Sequence, residues 1–192
     1  MSTNVKNIAK MLLSDSWYTL HKYSFDYKKP NGDWERQERE AYDRGNGSTI
    51  LLYNVKKSSV ILTRQFRLPT FVNANTDGML IEACAGLLDQ DNAEDCIRKE
   101  AEEETGYKIA KVTKIFEAYM SPGSVTEILY FFVAEYSAAM KVSAGGGLEH
   151  EQEHIEVLEL DFNDAYGMID SGEIMDGKTI MLLQYAKLNH LC

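Results

Sequence analysis

The sequence predicts a mixed α/β sandwich, a sheet flanked by helices, with an aromatic-rich hairpin in front of it. Three observations lead there. Short runs of Val, Ile, Leu, Phe and Tyr recur between turn signals, as strands do. One polar segment, Ala93 to Thr105, has helical spacing and a glycine stop at Gly106. Two further helical segments close the chain, about Phe162–Ile169 and Thr179–Ala186. Strands, a helix, strands and then helices within 192 residues fit one layered domain, with or without a small appendage.

In chain order, Val5 to Leu13 is expected to be a short helix. Trp17 to Tyr27 is rich in aromatics and Thr and reads as a strand. Pro30-Asn31-Gly32-Asp33 is a turn, because Asn-Gly supplies the positive φ angles of a tight hairpin. A second strand, about Trp34 to Tyr42, alternates charges rather than apolar residues. Such a hairpin is not stable alone and must lie against something else. Arg44-Gly45-Asn46-Gly47 then breaks the pattern. Thr49–Tyr53 and Val60–Thr63 are short apolar strands expected to be buried on both faces. A loop with Asn73, Asn75, Asp77 and Gly78 precedes a strand from Met79 to Cys84, and Gly86 opens a polar loop. Ile97 and Ala101 mark the apolar side of the following helix. Strands are expected near Val112–Tyr119, Ile128–Tyr136 and Ile155–Leu160, the last after Gly145–Gly147 and an acid-rich loop.

Composition excludes several classes. The hydrophobic fraction of 44% and charged fraction of 26% argue against a disordered chain. Apolar runs such as Ile128 to Ala134 are strand-sized and too short to span a bilayer, so no membrane partner is expected. Lys6 and Lys10 precede only Met11-Leu12-Leu13, too short for a secretory signal. Cys84, Cys96 and Cys192 cannot all pair and fit no zinc motif, the usage of a reduced, cytoplasmic compartment. Net charge is −10, the wrong sign for a nucleic-acid binder.

The acids of the Ala93–Thr105 segment carry the chemistry. In a helix, Glu100, Glu103 and Glu104 fall within about one turn, where each like-charge pair costs roughly 0.2–0.5 kcal/mol. They also sit near the helix C-terminus, where the macrodipole disfavours negative charge. A divalent cation reverses both penalties, and Mg2+ takes one or two carboxylates together with substrate phosphate. The competing reading is a solvated face, with Arg98 paired to Glu102 and Lys99 to Glu103.

Gly86, Glu100, Glu103, Glu104 and Gly106 together resemble the Nudix box of the Nudix hydrolase family, Gly-x5-Glu-x7-Arg-Glu-U-x-Glu-Glu-x-Gly-U. Lys99 replaces the Arg, Asn92 the first Glu, Ala101 the first bulky aliphatic, and the Asn92–Lys99 spacing is one residue short. Flanking pieces are similar to the GDP-mannose pyrophosphatase branch, close to the ADP-ribose pyrophosphatases: Tyr42–Gly47, Arg64-Gln-Phe-Arg67, Glu82–Leu88, Tyr119–Gly123, Thr126-Glu127 and Gly172–Thr179. The resemblance implies a Nudix-type α/β/α sandwich with a mixed sheet over residues 44–192. It also implies a dimer-forming β-hairpin arm over residues 1–43.

The resemblance further implies Mg2+, or Mn2+, held by the Ala85 carbonyl, Glu100, Glu104 and Glu153, with Glu103 as a further ligand or support and Glu151 as general base. Two extra residues in the Glu149–Ile155 loop leave the choice among Glu149, Glu151 and Glu153 open. Gly145 to Gly147 are expected to let that loop close over substrate, and His150 and His154 read as surface histidines. The implied substrate contacts are Trp17, Glu38, Arg39, Glu40, Arg67, Ala85, Gly86, Leu87, Glu104, Glu127, Gln152, Glu153 and Lys178. Of these Trp17 would stack on the base, and Glu38 to Glu40 would reach across a homodimer. The activity implied is cleavage of GDP-mannose to GMP and mannose 1-phosphate. The rivals are an ADP-ribose pyrophosphatase and an inactive nucleotide-sensing module.

Overall fold

The computed structural model describes residues 4–88, 91–148 and 152–192. The chain forms two compact units: the residues up to Asn46 with Tyr119–Ile128, and Gly47–Ala118 with Leu129–Cys192.

The first unit is an antiparallel sheet of three strands in the order β1 (Val5–Asp15), β2 (Thr19–Lys28), β3 (Trp34–Asp43). β2 and β3 pair without a break from Thr19 opposite Asp43 to Lys28 opposite Trp34. Gly32, at φ 92°, takes the left-handed position of the turn between them. The segment expected to be a helix is instead β1, so the arm has three strands rather than two. A nine-residue helix is marginal in water, whereas pairing with β2 satisfies the same backbone groups. β1 carries an irregularity between Lys6 and Ala9. Asn7 there has φ 53° and donates to Asp26 at 2.6 Å. The Tyr119–Ile128 segment docks on the end of β3, with Tyr42 N–H donating to Ser124 O and Thr126 N–H to Tyr42 O.

The second unit contains β4 (Gly47–Asn54), β5 (Ser59–Phe66), a single turn α1 (Leu68–Phe71), β6 (Met79–Glu82), β7 (Cys84–Leu87), α2 (Ala93–Thr105), β8 (Thr113–Tyr119), β9 (Ile128–Glu135), β10 (Glu156–Asp161), α3 (Phe162–Ser171) and α4 (Gly177–Leu188). The sheet runs β10-β5-β4-β9-β8, with β6 beside β5 and β7 beside β4. β4 and β9 are parallel and the neighbouring pairs around β4 and β5 antiparallel, so the sheet is mixed as expected. β4 and β5 pair only where Leu52–Asn54 meets Ser59–Ile61. Beyond that point β5 takes β6 and β4 takes β7. The run expected as one strand to Cys84 therefore switches partners at Ala83 and continues as a strand through Gly86 to Leu87.

Side chains alternate across a strand, so Phe131 and Phe132 of β9 face opposite ways. Phe132 shares a core with Ile50, Leu52, Ile97 and Ala101, which sets α2 against that face. Phe116 stacks on Phe131 at 4.6 Å and meets Tyr185 of α4 at 6.1 Å, which sets α4 against the other. β4, covered on both sides, is buried along nearly its whole length. Among the described residues no helix is long and apolar enough to cross a membrane.

Candidate active site

Helix α2 is held at both ends by residues that the pattern of acids alone would not single out. Asn92 is its N-cap and accepts from the backbone N–H groups of Glu94 and Asp95. One of the residues that depart from the box thus starts the helix. At the other end Gly106 turns left-handed at φ 77°. Gly145, Gly146 and Gly147 all have positive φ, and Gly146 and Gly147 donate to the carbonyls of Glu104 and Glu103. These glycines, expected to give the loop freedom to close, are docked on the end of α2. They satisfy carbonyls that a helix end leaves without partners.

Cys96, Ile97 and Ala101 bury one side of α2, and Glu104 is buried with them at 2% exposure. Glu100, one turn earlier, shares its face. A Cβ at Gly86 would collide with the Glu100 carboxylate, so the glycine lets that side chain lie on β7. Glu103 points elsewhere, into an open cleft with Lys99, Glu102 and Gly145. It pairs loosely with Lys99 at 3.8 Å, as in the competing solvated-face reading. Arg98 does not take Glu102; it pairs back to Glu94 at 2.8 Å and to Asp95. An acid N-terminal to its base is the better order on a helix. Glu102 meets Lys108 instead.

Burial pushes the Glu104 carboxyl up to about 8. The charges of Glu100 and Glu153 push in the same direction, while the Cys84 thiol, which donates to it, and Arg67 pull the other way. Glu104 Oε2 is buried and has no hydrogen-bond partner among the described residues. Glu153 is partly buried, accepts from Leu148 N–H at 3.1 Å and lies against Gly147, where a Cβ would clash. Three acids from α2 and the strand-leading loop therefore share one electrostatic environment. No group of three His, Cys, Asp or Glu is gathered to hold a metal ion among the described residues.

Ala85, Gly86 and Leu87 lie on β7, partly buried beside α2. Cys96 donates to Leu87 O at 3.2 Å, and Thr49 Oγ1 to Cys84 O at 3.0 Å, so the strand is fixed on both flanks. Arg67 and Lys178 meet on a residue absent from the expected set. Glu82, 3% exposed, accepts from Arg67 Nε at 2.7 Å through one oxygen and from Lys178 Nζ at 2.6 Å through the other. Lys178 also reaches Asp176 at 3.0 Å. Burial works against the Lys178 ammonium, but the charges of Glu82 and Asp176 outweigh it and hold its pKa above the ordinary lysine range. Arg67 is held up in the same way, against burial, by Glu82. The available signal for Glu82 was one charge at the end of the apolar run Met79-Leu-Ile.

In the first unit Trp17 is 82% exposed. It meets Tyr18, and Tyr18 meets Tyr42, edge to face. Glu127 is held by Arg44 Nε at 3.2 Å, a partner that sequence reasoning missed. Glu38 pairs with Lys22 at 2.7 Å and accepts from Ser24, contacts that hold its carboxyl below the usual range. Arg39 donates to Glu38 O and Gln37, and Glu40 is exposed opposite Lys22. Gln152 is exposed with φ 59°, and His154 is exposed. Glu149, His150 and Glu151, the expected general base among them, lie outside the described residues.

Residues 4–42 match the family model described as the GDP-mannose pyrophosphatase NudK N-terminal domain, and residues 43–180 match the NUDIX domain. A GDP-mannose pyrophosphatase of Pectobacterium atrosepticum is 60% identical over 97% of this chain and 95% of its own. One of Yersinia enterocolitica is 59% identical over 100% and 99%. One of Yersinia pestis (strain Pestoides F) is 58% identical over 98% and 94%.

Proposed function

The chain belongs to the NUDIX family, and on that premise we propose that it hydrolyses the diphosphate of a nucleotide sugar, GDP-mannose foremost, to GMP and mannose 1-phosphate. The observation that carries this is the buried Glu104 carboxylate, with an oxygen lacking a partner and two further acids near it. Such a group is costly unless a cation or a proton satisfies it. The donors fit a hard divalent ion, the cofactor class of the family. Carboxylate and carbonyl oxygens are the ligands such an ion takes, and one or two carboxylates suit an ion that keeps positions for water and phosphate. Glu100, Glu104, Glu153 and the Ala85 carbonyl would hold it, with Mg2+ or Mn2+ as the ion. When bound, such an ion neutralises phosphate oxygens and lowers the pKa of a water.

The protein's own groups do the rest. Arg67 and Lys178 bring positive charge to the diphosphate. Gly86 and Leu87 line the approach on β7, and Gln152 borders it from the loop. Glu151 takes the proton of the attacking water. Trp17 stacks on the base, its ring available to a ligand. Glu127 accepts hydrogen bonds from base or sugar. Glu38, Arg39 and Glu40 belong to an arm, residues 1–43, that pairs two copies. Ile8, Met11, Leu12 and Leu13 of β1 stay exposed in one chain, and this apolar surface supports that pairing.

A panel of GDP-mannose, ADP-ribose, ADP-glucose and NADH, assayed with and without Mg2+, tests the reading. GDP-mannose should turn over fastest and only with the metal. Glu100→Gln should lower kcat at least about a thousandfold with the fold intact. Preference for ADP-ribose, or near wild-type turnover by that variant, would reject the substrate or the mechanism respectively.

A further inference from the structure

We propose that Glu82 is a positioning residue. Its carboxylate, shared between Arg67 and Lys178, fixes the two side chains as a paired grip for the diphosphate of the substrate. The inference rests on the nucleotide-sugar reading above.

The geometry separates the two jobs of each cation. Arg67 commits Nε to Glu82, and a guanidinium has four further N–H donors. Lys178 commits two of three donors, to Glu82 and Asp176. Each cation is thus anchored and keeps donors for an incoming anion. Asp176 is itself anchored, since it accepts from Thr179 N–H at 3.0 Å and from Thr179 Oγ1 at 2.5 Å. The same Thr179 Oγ1 accepts from Ala83 N–H at 2.6 Å, at the switch between β6 and β7. Glu82 therefore stands next to the point that sets β7, with Ala85 and Gly86 three and four residues along. Arg67 in turn acts electrostatically on the Glu104 carboxyl, in the direction that lowers its pKa, so the anchored guanidinium lies within range of that acid.

A purely structural role is a poor account of four buried or half-buried charges. An apolar cluster of the same volume is as stable or more so. What the charges supply is order: two long, flexible side chains are immobilised before substrate arrives, so binding does not have to freeze them.

The test compares wild type with Glu82→Gln and Glu82→Asp. The readouts are steady-state kinetics on GDP-mannose with Mg2+ and the rise in Tm caused by GDP with Mg2+. A grip for the diphosphate acts alike on ground and transition states, so Glu82→Gln should raise KM about tenfold or more while kcat changes by less than about threefold. The GDP-induced rise in Tm should shrink by at least about half. Glu82→Asp keeps the charge on a shorter arm and should fall between the two. Wild-type KM and ligand shift in Glu82→Gln, or a fall in kcat at constant KM, overturns the proposal. If Glu82→Gln does not fold, Glu82→Asp decides: a raised KM supports the grip and an unchanged one sinks it. If wild type does not cleave GDP-mannose, the functional reading fails on its own and the GDP shift still decides Glu82.

Discussion

Two groups of ion pairs in this molecule use the same side chains to different ends. In the three-stranded unit, Lys22–Glu38, Arg36–Asp26 and Lys29–Glu35 lie along the sheet surface within reach of water. In the larger unit, Arg67, Lys178, Glu82 and Asp176 form one chain around a carboxylate that water barely touches. Distances alone do not separate them, since Lys22–Glu38 at 2.7 Å is as close as Arg67–Glu82. Solvent does. An exposed pair exchanges hydration for a screened attraction and gains little. A buried group whose partner is removed keeps its charge without hydration, so loss of one member is felt in full.

The largest effect is expected from Lys178→Ala. It strands Glu82 and Asp176 with one cation between them, and should destabilise the fold by about 3 kcal/mol in chemical denaturation. A loss below about 1 kcal/mol would mean that this network behaves like the surface one.

Next comes pH. The Glu104 carboxyl is raised in the folded state to about 8 from 4.5, so the metal-free fold takes up its proton more readily than the unfolded chain. The stability this contributes is complete below about 4.5 and disappears as pH climbs through about 8. The Tm of chelator-treated protein should therefore fall across that range. A divalent ion favours the ionised form, so added Mg2+ should restore Tm most at the alkaline end and release protons on binding. Titration calorimetry in buffers of different ionisation enthalpy measures that release. A flat metal-free profile would remove Glu104 from the account.

A smaller change is expected at the start of α2. Asn92→Ala deletes the cap and should cost about 1 kcal/mol. The loss should appear in Tm with little change in KM, because Asn92 acts on the helix and not on substrate. Smallest of all, Glu38→Gln should leave Tm at neutral pH within error. Its carboxyl is held below the usual range by Lys22 and Ser24, so whatever it contributes is present above its unfolded pKa and lost on acidification. A drop comparable with that of Lys178→Ala would erase the contrast between the two networks.

Much of the fold was legible because local rules and tertiary structure agree. α2 spans Ala93–Thr105 as its spacing and Gly106 indicated, and α3, α4, β8, β9 and β10 lie within a few residues of expectation. The segment from Val5 failed because its local signal was weak and a neighbouring strand supplied partners. The end of the Met79 strand failed because a change of partner leaves no periodicity to read. Gly145–Gly147 were legible only in part: glycine marks a permissive backbone, and the carbonyls of Glu103 and Glu104 that Gly146 and Gly147 meet come from a helix far earlier in the chain. Arg67 and Lys178 were visible as charges, but Glu82 was not, since one acid in an apolar strand has no meaning until its partners are known.

The amino-acid order by itself determined the class of fold and the acidic turn of α2, because spacing along a helix fixes which side chains are neighbours. Tertiary structure alone decided which acids lose their water and which cations are anchored. Burial of Glu104 and the shared carboxylate of Glu82 depend on strands and a helix brought together from distant parts of the chain, and desolvation follows from that packing rather than from any local pattern.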